Sequence, residues 1–553
     1  SVVAKPPQKC YNLPQKQPCK GYRKEGAAVP AAHRPKPPAW LWPVITGAYI
    51  LAWGAVNLGF LTRFPFVHSD EAWLAGLARN IWQSGSPAVT ETFFDLKPRW
   101  PHGIKMAFHG LQILAIRLGG YNVFSVRVLS LLAGCAVLAL FFVAARRLTG
   151  SGLAALGAVA ALSLDVQFIN AAHMARQEIF ILLFMAACLA VLCREGPLST
   201  GHILLLAVFT GAAVWFHPNS FLAACLCGGA LLVRWAFRQA SLKQLALYVA
   251  LTGALAGAVV AFCFWLDPQF PVHYMMYGQG EFDLLVPVTS KLGQLGGYFS
   301  RLWNQFSGTY YLPNIRVQLV LFCLAAVLAG FFALVMHREQ PGPAAQALSL
   351  LAGAGGLLCG MVLIGRYSQT NIVFFFLPGW LLVLFCCRLF GEWAARLAPF
   401  ALAGLMLALS VWQIAPWLNV RYADYLARIG QYVQPGSRVL GNLNAEFYFE
   451  NGVFFDYRNL PYLAEHGLSV AGYIQKNNIE YILYYDELDL IWQSRPAYNA
   501  LYGVPDDFYP QLKAFCAGQC TPVGSFFDPW YAVRIQAEQG RGEWGRVTVY
   551  RVN

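Results

Sequence analysis

The sequence predicts a polytopic α-helical membrane protein that ends in a small α/β domain. Three observations carry this. Of the 553 residues, 57% are hydrophobic, and the mean hydropathy is +0.47. The Leu, Ala, Val and Phe residues fall in runs of about 20, the length a helix needs to cross the ~30 Å hydrocarbon core of a bilayer. Beyond residue 417 those runs stop, and short strand-like and helix-like pieces alternate instead. Inside a bilayer the backbone has no water to bond to, so each run must pair its own N–H and C=O groups as a helix. The 50 glycines do not oppose this, since glycine is common in membrane helices.

Residues 1–38, rich in Pro, Lys and Gln, read as a disordered basic tail. It is too polar for a signal peptide, which needs an apolar core. Its cations, from Lys5 to Lys36, hold it on the cytoplasmic side. Residues 39–417 make the membrane domain. A first span, 40–61, delivers the chain to the outer face. Residues 62–120 form an outer loop whose helical patterns, near 70–83 and 104–119, are expected to lie along the interface. Further spans are expected near 123–145, 152–169, 177–193, 200–216, 218–234, 245–266, 317–337, 345–364, 370–387 and 396–416, eleven with the first. The ends this assigns to the cytoplasm carry Arg146 and Arg147, Arg194, Arg234 with Arg238 and Lys243, Arg338, and Arg388 with Arg396, which satisfies the positive-inside rule. Loop 62–120, loop 267–316 and segment 418–553 then gather at the outer face. The last is expected to fold as an extracytoplasmic α/β domain, with strands at Arg438–Leu440, Tyr481–Tyr485, Trp530–Ile535 and Val547–Arg551 and helices at Arg421–Tyr432, Ala471–Asn477 and Asp507–Cys516.

The 40 Lys and Arg against 27 Asp and Glu give a net charge of +13. The cations sit at the ends of apolar runs, which favours a basic membrane surface over nucleic-acid binding. Most of the 14 cysteines lie in or beside apolar runs and act as small hydrophobes. Cys10 and Cys19 fall in the tail. Cys516 and Cys520 lie in a polar segment, where a local disulfide is open to them. No metal-ligand spacing recurs.

The sharpest chemical signal is His68-Ser69-Asp70-Glu71, just after the first span. Ser69 or Asp70 is placed to cap the following helix. Capping leaves two adjacent carboxylates at the rim of a membrane core unexplained, and ionisable groups there are expensive. Such a carboxylate can take a proton from an acceptor group or bind a metal. In the segment Asp95-Leu96-Lys97-Pro98-Arg99, followed by His102 and His109, Lys97 offers a point charge and Arg99 a bidentate fork for a phosphate. Contact with anionic lipid headgroups explains those cations as well. His173-Met174-Ala175-Arg176-Gln177-Glu178 reads either as part of a cavity or as an interfacial turn with an Arg–Glu pair. Arg366, in Gly365-Arg366-Tyr367, is a cation on the outer side against the trend, and a buried phosphate would account for it. His217-Pro218-Asn219 makes a tight outer turn. Asp267 and Asp283 lie in the next outer loop, within range of a substrate.

An acidic group and several phosphate-seeking cations on one face suit a transferase that uses a lipid-linked phosphosugar, since nucleotide sugars are confined to the cytoplasm. No Walker A or Rossmann glycine pattern points to a nucleotide-driven pump. At this point the chain resembles the GT-C superfamily of membrane glycosyltransferases, nearest its protein O-mannosyltransferase-like branch with the bacterial lipid A aminoarabinose transferases. The resemblance covers roughly residues 40–416. It rests on Asp70-Glu71 after the first span, on Lys97-Pro98, and on Ser125-Val126-Arg127 before a span ending in Arg146-Arg147-Leu148. Arg176-Gln177-Glu178, Arg366-Tyr367 and Leu377-Pro378 extend it. Arg99 stands where a second proline is usual.

The resemblance implies a GT-C fold of about 11–13 transmembrane helices in a bacterial inner membrane. It implies inverting transfer of a sugar from a polyprenyl-phosphate donor to lipid A, a cell-surface glycan or a protein. Asp70 would be the base or orient the acceptor, with Glu71 beside it. Lys97, Arg99, Arg176 and Arg366 would face the donor phosphate. His68, His102, His173, Glu178, His217, Asp267 and Tyr367 would complete the cavity. Some such enzymes need a divalent cation, Mg or Mn, for which Asp70 would be the ligand. A flippase for lipid-linked saccharides is the competing class. It would favour two-fold similarity between halves of the membrane region, which the sequence does not show.

Overall fold

The apolar runs fold as helices. In the computed structural model the described residues are 38–282, 286–306, 308–365, 367–502 and 505–553. The chain divides into Ser1–Leu41, of which only the last residues are described, and a compact unit from Trp42 to Asn553. The expected tail, with Cys10 and Cys19, thus lies almost wholly outside the described residues.

After α1 (Leu41–Leu58) come the two helices of the outer loop, α2 (Ser69–Ser84) and α3 (Met106–Gly119). Next are α4 (Val123–Thr149), α5 (Gly152–Ser163), α6 (Val166–His173), α7 (Glu178–Leu192), α8 (Thr200–Val214), α9 (Phe221–Ala236) and α10 (Leu242–Leu266). Loop 267–316 carries two helices of its own, α11 (Phe270–Phe282) and α12 (Val288–Asn304). Then α13 (Arg316–Met336), α14 (Pro341–Ile364), α15 (Phe376–Leu389) and α16 (Glu392–Ile414) complete the membrane part. Among the described residues, eight helices are long and apolar enough to cross a membrane, and α5 with α6 makes a ninth. The other two expected spans are α7 and α8, apolar helices of 15 residues each. Each of the eleven expected segments is therefore helical, and three of them are short or broken.

The break between α5 and α6 bends the pair by 68° and has a local cause. Buried Asp165 turns its carboxylate back onto the amide of Gln167 at 2.9 Å, as an N-cap does. Its other oxygen accepts from Gln318 Nε2 at 3.1 Å. Elsewhere small residues let helices approach. A Cβ on Gly229 of α9 would sit 2.2 Å from the carbonyl oxygen of Ala352, and one on Gly356 of α14 the same distance from that of Cys225. With lipid outside, packing of this kind holds membrane helices together.

The C-terminal region comprises α17 (Tyr422–Gly430), β1 (Val439–Gly441), β2 (Phe454–Asp456), α18 (Val470–Lys476), β3 (Tyr481–Tyr485), α19 (Glu487–Ser494), α20 (Pro505–Gln519), β4 (Cys520–Phe527) and β5 (Arg546–Val552). The sheet order is β2-β1-β3-β5-β4. β1 runs parallel to β2 and β3, with Leu440 opposite Phe455 and Ile482. β5 runs antiparallel to β3 and β4. Two expectations are corrected. Trp530–Ile535 is not a strand: the amides of Arg534 and Ile535 donate to Glu487 Oε1 at 2.6 and 2.8 Å, and that buried carboxylate takes the place of a neighbouring strand. Cys516 and Cys520 are both free thiols. β4 went unforeseen because Pro522 and Gly524 break its pattern; they sit at an irregularity in an edge strand, where both residues are tolerated.

Loop 62–120, loop 267–316 and segment 418–553 meet in the structure. Asp95 accepts from Tyr473 Oη at 2.6 Å and Asn477 Nδ2 at 3.0 Å. Asn459 accepts from the amides of Leu96 and Lys97 and donates to the carbonyl of Phe93. Buried Glu446 pairs with Arg79 of α2 and accepts from Tyr121. The amide of Gln536 donates to the carbonyl of Gly308 at 3.0 Å.

The glycine contacts make a direct prediction. Gly229→Ala and Gly356→Ala each push a methyl into a backbone carbonyl and should cost about 1–3 kcal/mol, as overpacking does. Gly355→Ala, with nothing within 4 Å of its Cβ, is the control. The thermal midpoint in detergent should fall for the first two and hold for the third.

Candidate active site

One cavity of about 820 Å³ opens where these three regions meet. Its wall is drawn from α2 and the outer loop, the turn before α7, the turn before α9, α11, α12 and the segment around Tyr310.

Asp70 stands at the start of α2, and the local structure explains why its carboxylate is available. The helix is capped by His68, whose Nδ1 accepts from the Asp70 amide at 3.0 Å. Glu71 closes a capping box by accepting from the His68 amide at 3.0 Å. The expected cap by Ser69 or Asp70 is thus replaced by His68, and Asp70 is released from that duty. Oδ2 of Asp70 accepts from Arg176 Nη1 at 2.8 Å and from the hydroxyl of Tyr310. Oδ1 accepts no hydrogen bond among the described residues. His68 Nδ1 lies 3.6 Å from it. That nitrogen already accepts a hydrogen bond, so the imidazole is neutral with its proton on Nε2, 3.0 Å from Thr309 Oγ1. The His68 ring stacks on Tyr310 at 4.0 Å. Burial works to raise the Asp70 pKa, but the charge of Arg176 and the Tyr310 hydrogen bond outweigh it and hold the carboxyl well below its ordinary range. Burial drives His68 the other way, down to about 3.

Glu71 is fully buried and faces away from the cavity. It takes Arg127 Nε and Nη2 at 2.8 and 2.7 Å and the Ala175 amide at 2.8 Å. Arg176 lines the cavity, but its fork is spent. Besides Asp70 it donates to Tyr310, and its Nε and Nη2 lie 3.2 and 2.9 Å from Glu178, which also accepts from Thr370 at 2.9 Å. Both readings of this turn hold, since the Arg–Glu pair is there and it braces a cavity residue.

The remaining expected residues divide. Arg99 is at the cavity wall and forms a bidentate pair with Glu91 at 3.0 and 2.8 Å. Burial works against ionising Glu91, but Arg99 and the Trp73 indole, donating at 2.5 Å, hold it down at about 2. His102, His217, Asp267 and Tyr367 line the cavity too. His217 accepts from the Asn219 amide and caps its turn, and Tyr367 donates to the carbonyl of Lys291 at 2.6 Å. Lys97 is not among the lining residues; its ammonium lies 5.8 Å from the rings of Trp73 and Phe94. His173 is not in the cavity either. It is buried between the carbonyl of Phe64 at 2.7 Å and Asn57 Oδ1 at 2.8 Å, because α6 carries it inward. Arg366 and Asp283 lie outside the described residues.

Several lining residues carried no sequence signal. Tyr310, Arg301 and His273 lie far along the chain from Asp70 and form no local motif with it. Lys105 takes a left-handed φ of 65° just before α3, an uncommon conformation for a non-glycine residue. Beside it, His102 Nδ1 and His109 Nε2 are buried without a hydrogen-bond partner among the described residues. Burial, then Arg99 for His102 and Lys105 for His109, holds these rings neutral, down to about 4 and about 3. Neutral imidazoles with open nitrogens suit hydroxyl groups. Among the described residues no three His, Cys, Asp or Glu side chains come together as metal ligands.

No protein-family model and no curated protein sequence matches the chain. Solved structures do. The oligosaccharyltransferase of Archaeoglobus fulgidus, tethered to an acceptor peptide containing the NVT sequon, superposes with a TM-score of 0.50 at 11% identity, covering 93% of this chain and 75% of that one. ArnT from Cupriavidus metallidurans, bound to undecaprenyl phosphate, gives 0.49 at 17%, covering 93% and 98%. The mycobacterial arabinofuranosyltransferase AftD gives 0.45 at 13%, covering 94% and 40%. The archaeal likeness shows the fold alone: a polytopic helical membrane part followed by a small α/β region.

Adjacent carboxylates with opposite placements should respond differently. Glu71→Gln leaves buried Arg127 without its counter-charge, which costs about 3–5 kcal/mol and should lower the thermal midpoint sharply. Asp70→Asn, at a side chain 27% exposed, should leave that midpoint within a few degrees of the wild type.

Proposed function

We propose that this chain is a glycosyltransferase that moves a sugar, with inversion, from a polyprenyl-phosphate donor to an acceptor outside the cytoplasm. The observation that carries the reading is Asp70. It is an ionised carboxylate with Oδ1 open to a cavity that cations and histidines line beside membrane-length helices.

The residues divide the work. Lys105 and Arg301 supply positive charge at the wall for the donor phosphate, joined by Arg99 where it shares its charge with Glu91. Arg176 acts on Asp70 rather than on the phosphate, because its donors are already engaged. A carboxylate held this acidic is a weak base. Its strength is as an acceptor that fixes the attacking hydroxyl and stabilises positive charge developing on it. Attack at the anomeric carbon then breaks the C1–O bond and leaves the electron pair on the polyprenyl phosphate. Double displacement needs a carboxylate nucleophile at the anomeric carbon, and Asp70 is taken up by the acceptor hydroxyl. Glu71 is spent on Arg127 and Glu91 on Arg99, which supports single displacement and hence inversion. The positive-inside pattern supports a cytoplasmic N-terminus and a cavity on the outer face of a bacterial plasma membrane. Lipid A, a surface glycan or a protein hydroxyl all suit the acceptor side.

The test is transfer by the purified protein in liposomes, with a radiolabelled polyprenyl-phosphate sugar and extracted envelope acceptors. Asp70→Asn should lower kcat by at least about 10²-fold. Lys105→Ala and Arg301→Ala should raise the donor KM more than they lower kcat. Normal turnover by Asp70→Asn would remove Asp70 from the chemistry.

A further inference from the structure

A second proton-handling group faces the same cavity. Asp267 follows α10 and divides its carboxylate between two tasks. Oδ1 accepts from the Gln269 amide at 3.0 Å, which turns the chain into α11. Oδ2 lies 2.6 Å from Nδ1 of His273, one turn into that helix. A carboxylate at Nδ1 fixes the imidazole with its proton on Nδ1 and its lone pair on Nε2. His273 lines the cavity, and its Nε2 has no partner among the described residues. The ring is also held from the side. Trp100 stacks on it at 4.3 Å with planes 9° apart, and the neighbouring Arg99 lies over Tyr277, one turn further along α11. Two consecutive residues of the outer loop thus clamp two consecutive turns of α11. A helix start needs only Oδ1 of Asp267 and accounts for neither the second oxygen nor the stacked ring.

We infer that Asp267 and His273 form the base of the reaction: His273 removes the acceptor's proton, and Asp267 sets its tautomer and steadies the imidazolium. The inference rests on the transferase reading and deepens it. In one step the acceptor oxygen bonds to the anomeric carbon, the C1–O bond to phosphate breaks with its electron pair going to the phosphate, and the hydroxyl proton moves to Nε2. Release of that proton to solvent restores the neutral ring. Asp70 orients the same hydroxyl and need not store its proton, which suits an acid held ionised by Arg176 and Tyr310. The other titratable and charged groups lining the cavity are Asp70 with Arg176, Glu91 with Arg99, Lys105, Arg301, the imidazoles of His102, His109 and His217, and the phenols of Tyr274, Tyr277, Tyr310 and Tyr367.

The test compares wild type, His273→Gln and Asp267→Asn in the same liposomes, with kcat, donor KM and the pH dependence of kcat. Wild-type turnover should fall on the acid side, since a protonated base cannot take the acceptor's proton. His273→Gln should lose about 10²–10⁴-fold in kcat, keep the donor KM, and lose that acid limb. Asp267→Asn should lose less kcat and keep a displaced limb. A His273→Gln kcat within threefold of wild type overturns the assignment. So does a fall in kcat that leaves the acid limb in place, since that is the mark of a structural role. Wild type that moves no sugar defeats the transferase reading, whereas active wild type with unaltered His273→Gln defeats only the dyad.

Discussion

The site depends on one buried carboxylate, Glu71, that lies outside the cavity lining. Glu71 gathers the guanidinium of Arg127 from α4, the amide of His68 at the head of α2, and the amide of Ala175 in the turn before α7. Those three elements carry the residues that matter: α2 carries Asp70, and the turn carries Arg176. Arg127 extends the tie by donating to the carbonyls of Leu61, Pro65 and Phe66, which close the chain leaving α1. A charge pair with both members fully buried is costly to form and more costly to halve. Here it fixes where the neighbouring carboxylate points, to within a hydrogen bond.

Around that anchor the cavity is built by compensation. Each carboxylate at its wall has a cationic or histidine partner: Asp70 with Arg176, Glu91 with Arg99, Asp267 with His273. In a site partly screened from water these pairings control protonation, and Lys105 and Arg301 line the same wall. The C-terminal region contributes as well. Arg534 donates to Ser69 Oγ at 3.1 Å, and Arg458, paired with Asp456, lies over the Trp73 and Phe94 rings. The C-terminal region therefore supports the site and bears directly on the head of α2.

Periodicity made the membrane helices and most of the C-terminal elements legible, because burial in lipid or in a sheet imposes a local pattern. The importance of His68–Glu71 was legible from charge at the membrane rim. The roles within it were not. Whether Asp70 or Glu71 faces the cavity is decided by Arg127 and Ala175, far along the chain, and no spacing encodes that. His173 misled for the converse reason: it shares a short polar turn with Arg176, and the direction of α6 sends it into the core. Tyr310 and His273 were invisible because a tyrosine after a glycine-threonine pair and a histidine among aromatics have no signature of their own. Only the folding of loop 267–316 over α2 and the outer loop gives them meaning.

The most direct test of the central claim is mass spectrometry of lipids and envelope glycans from cells with and without the gene. The account predicts that a polyprenyl-phosphate monosaccharide accumulates in the deletion while one lipid, glycan or protein loses a residue of the same mass, and that Asp70→Asn in place of the wild type reproduces both changes. Accumulation of a complete lipid-linked oligosaccharide on the cytoplasmic face, with every monosaccharide donor unchanged, would contradict it and point to a flippase.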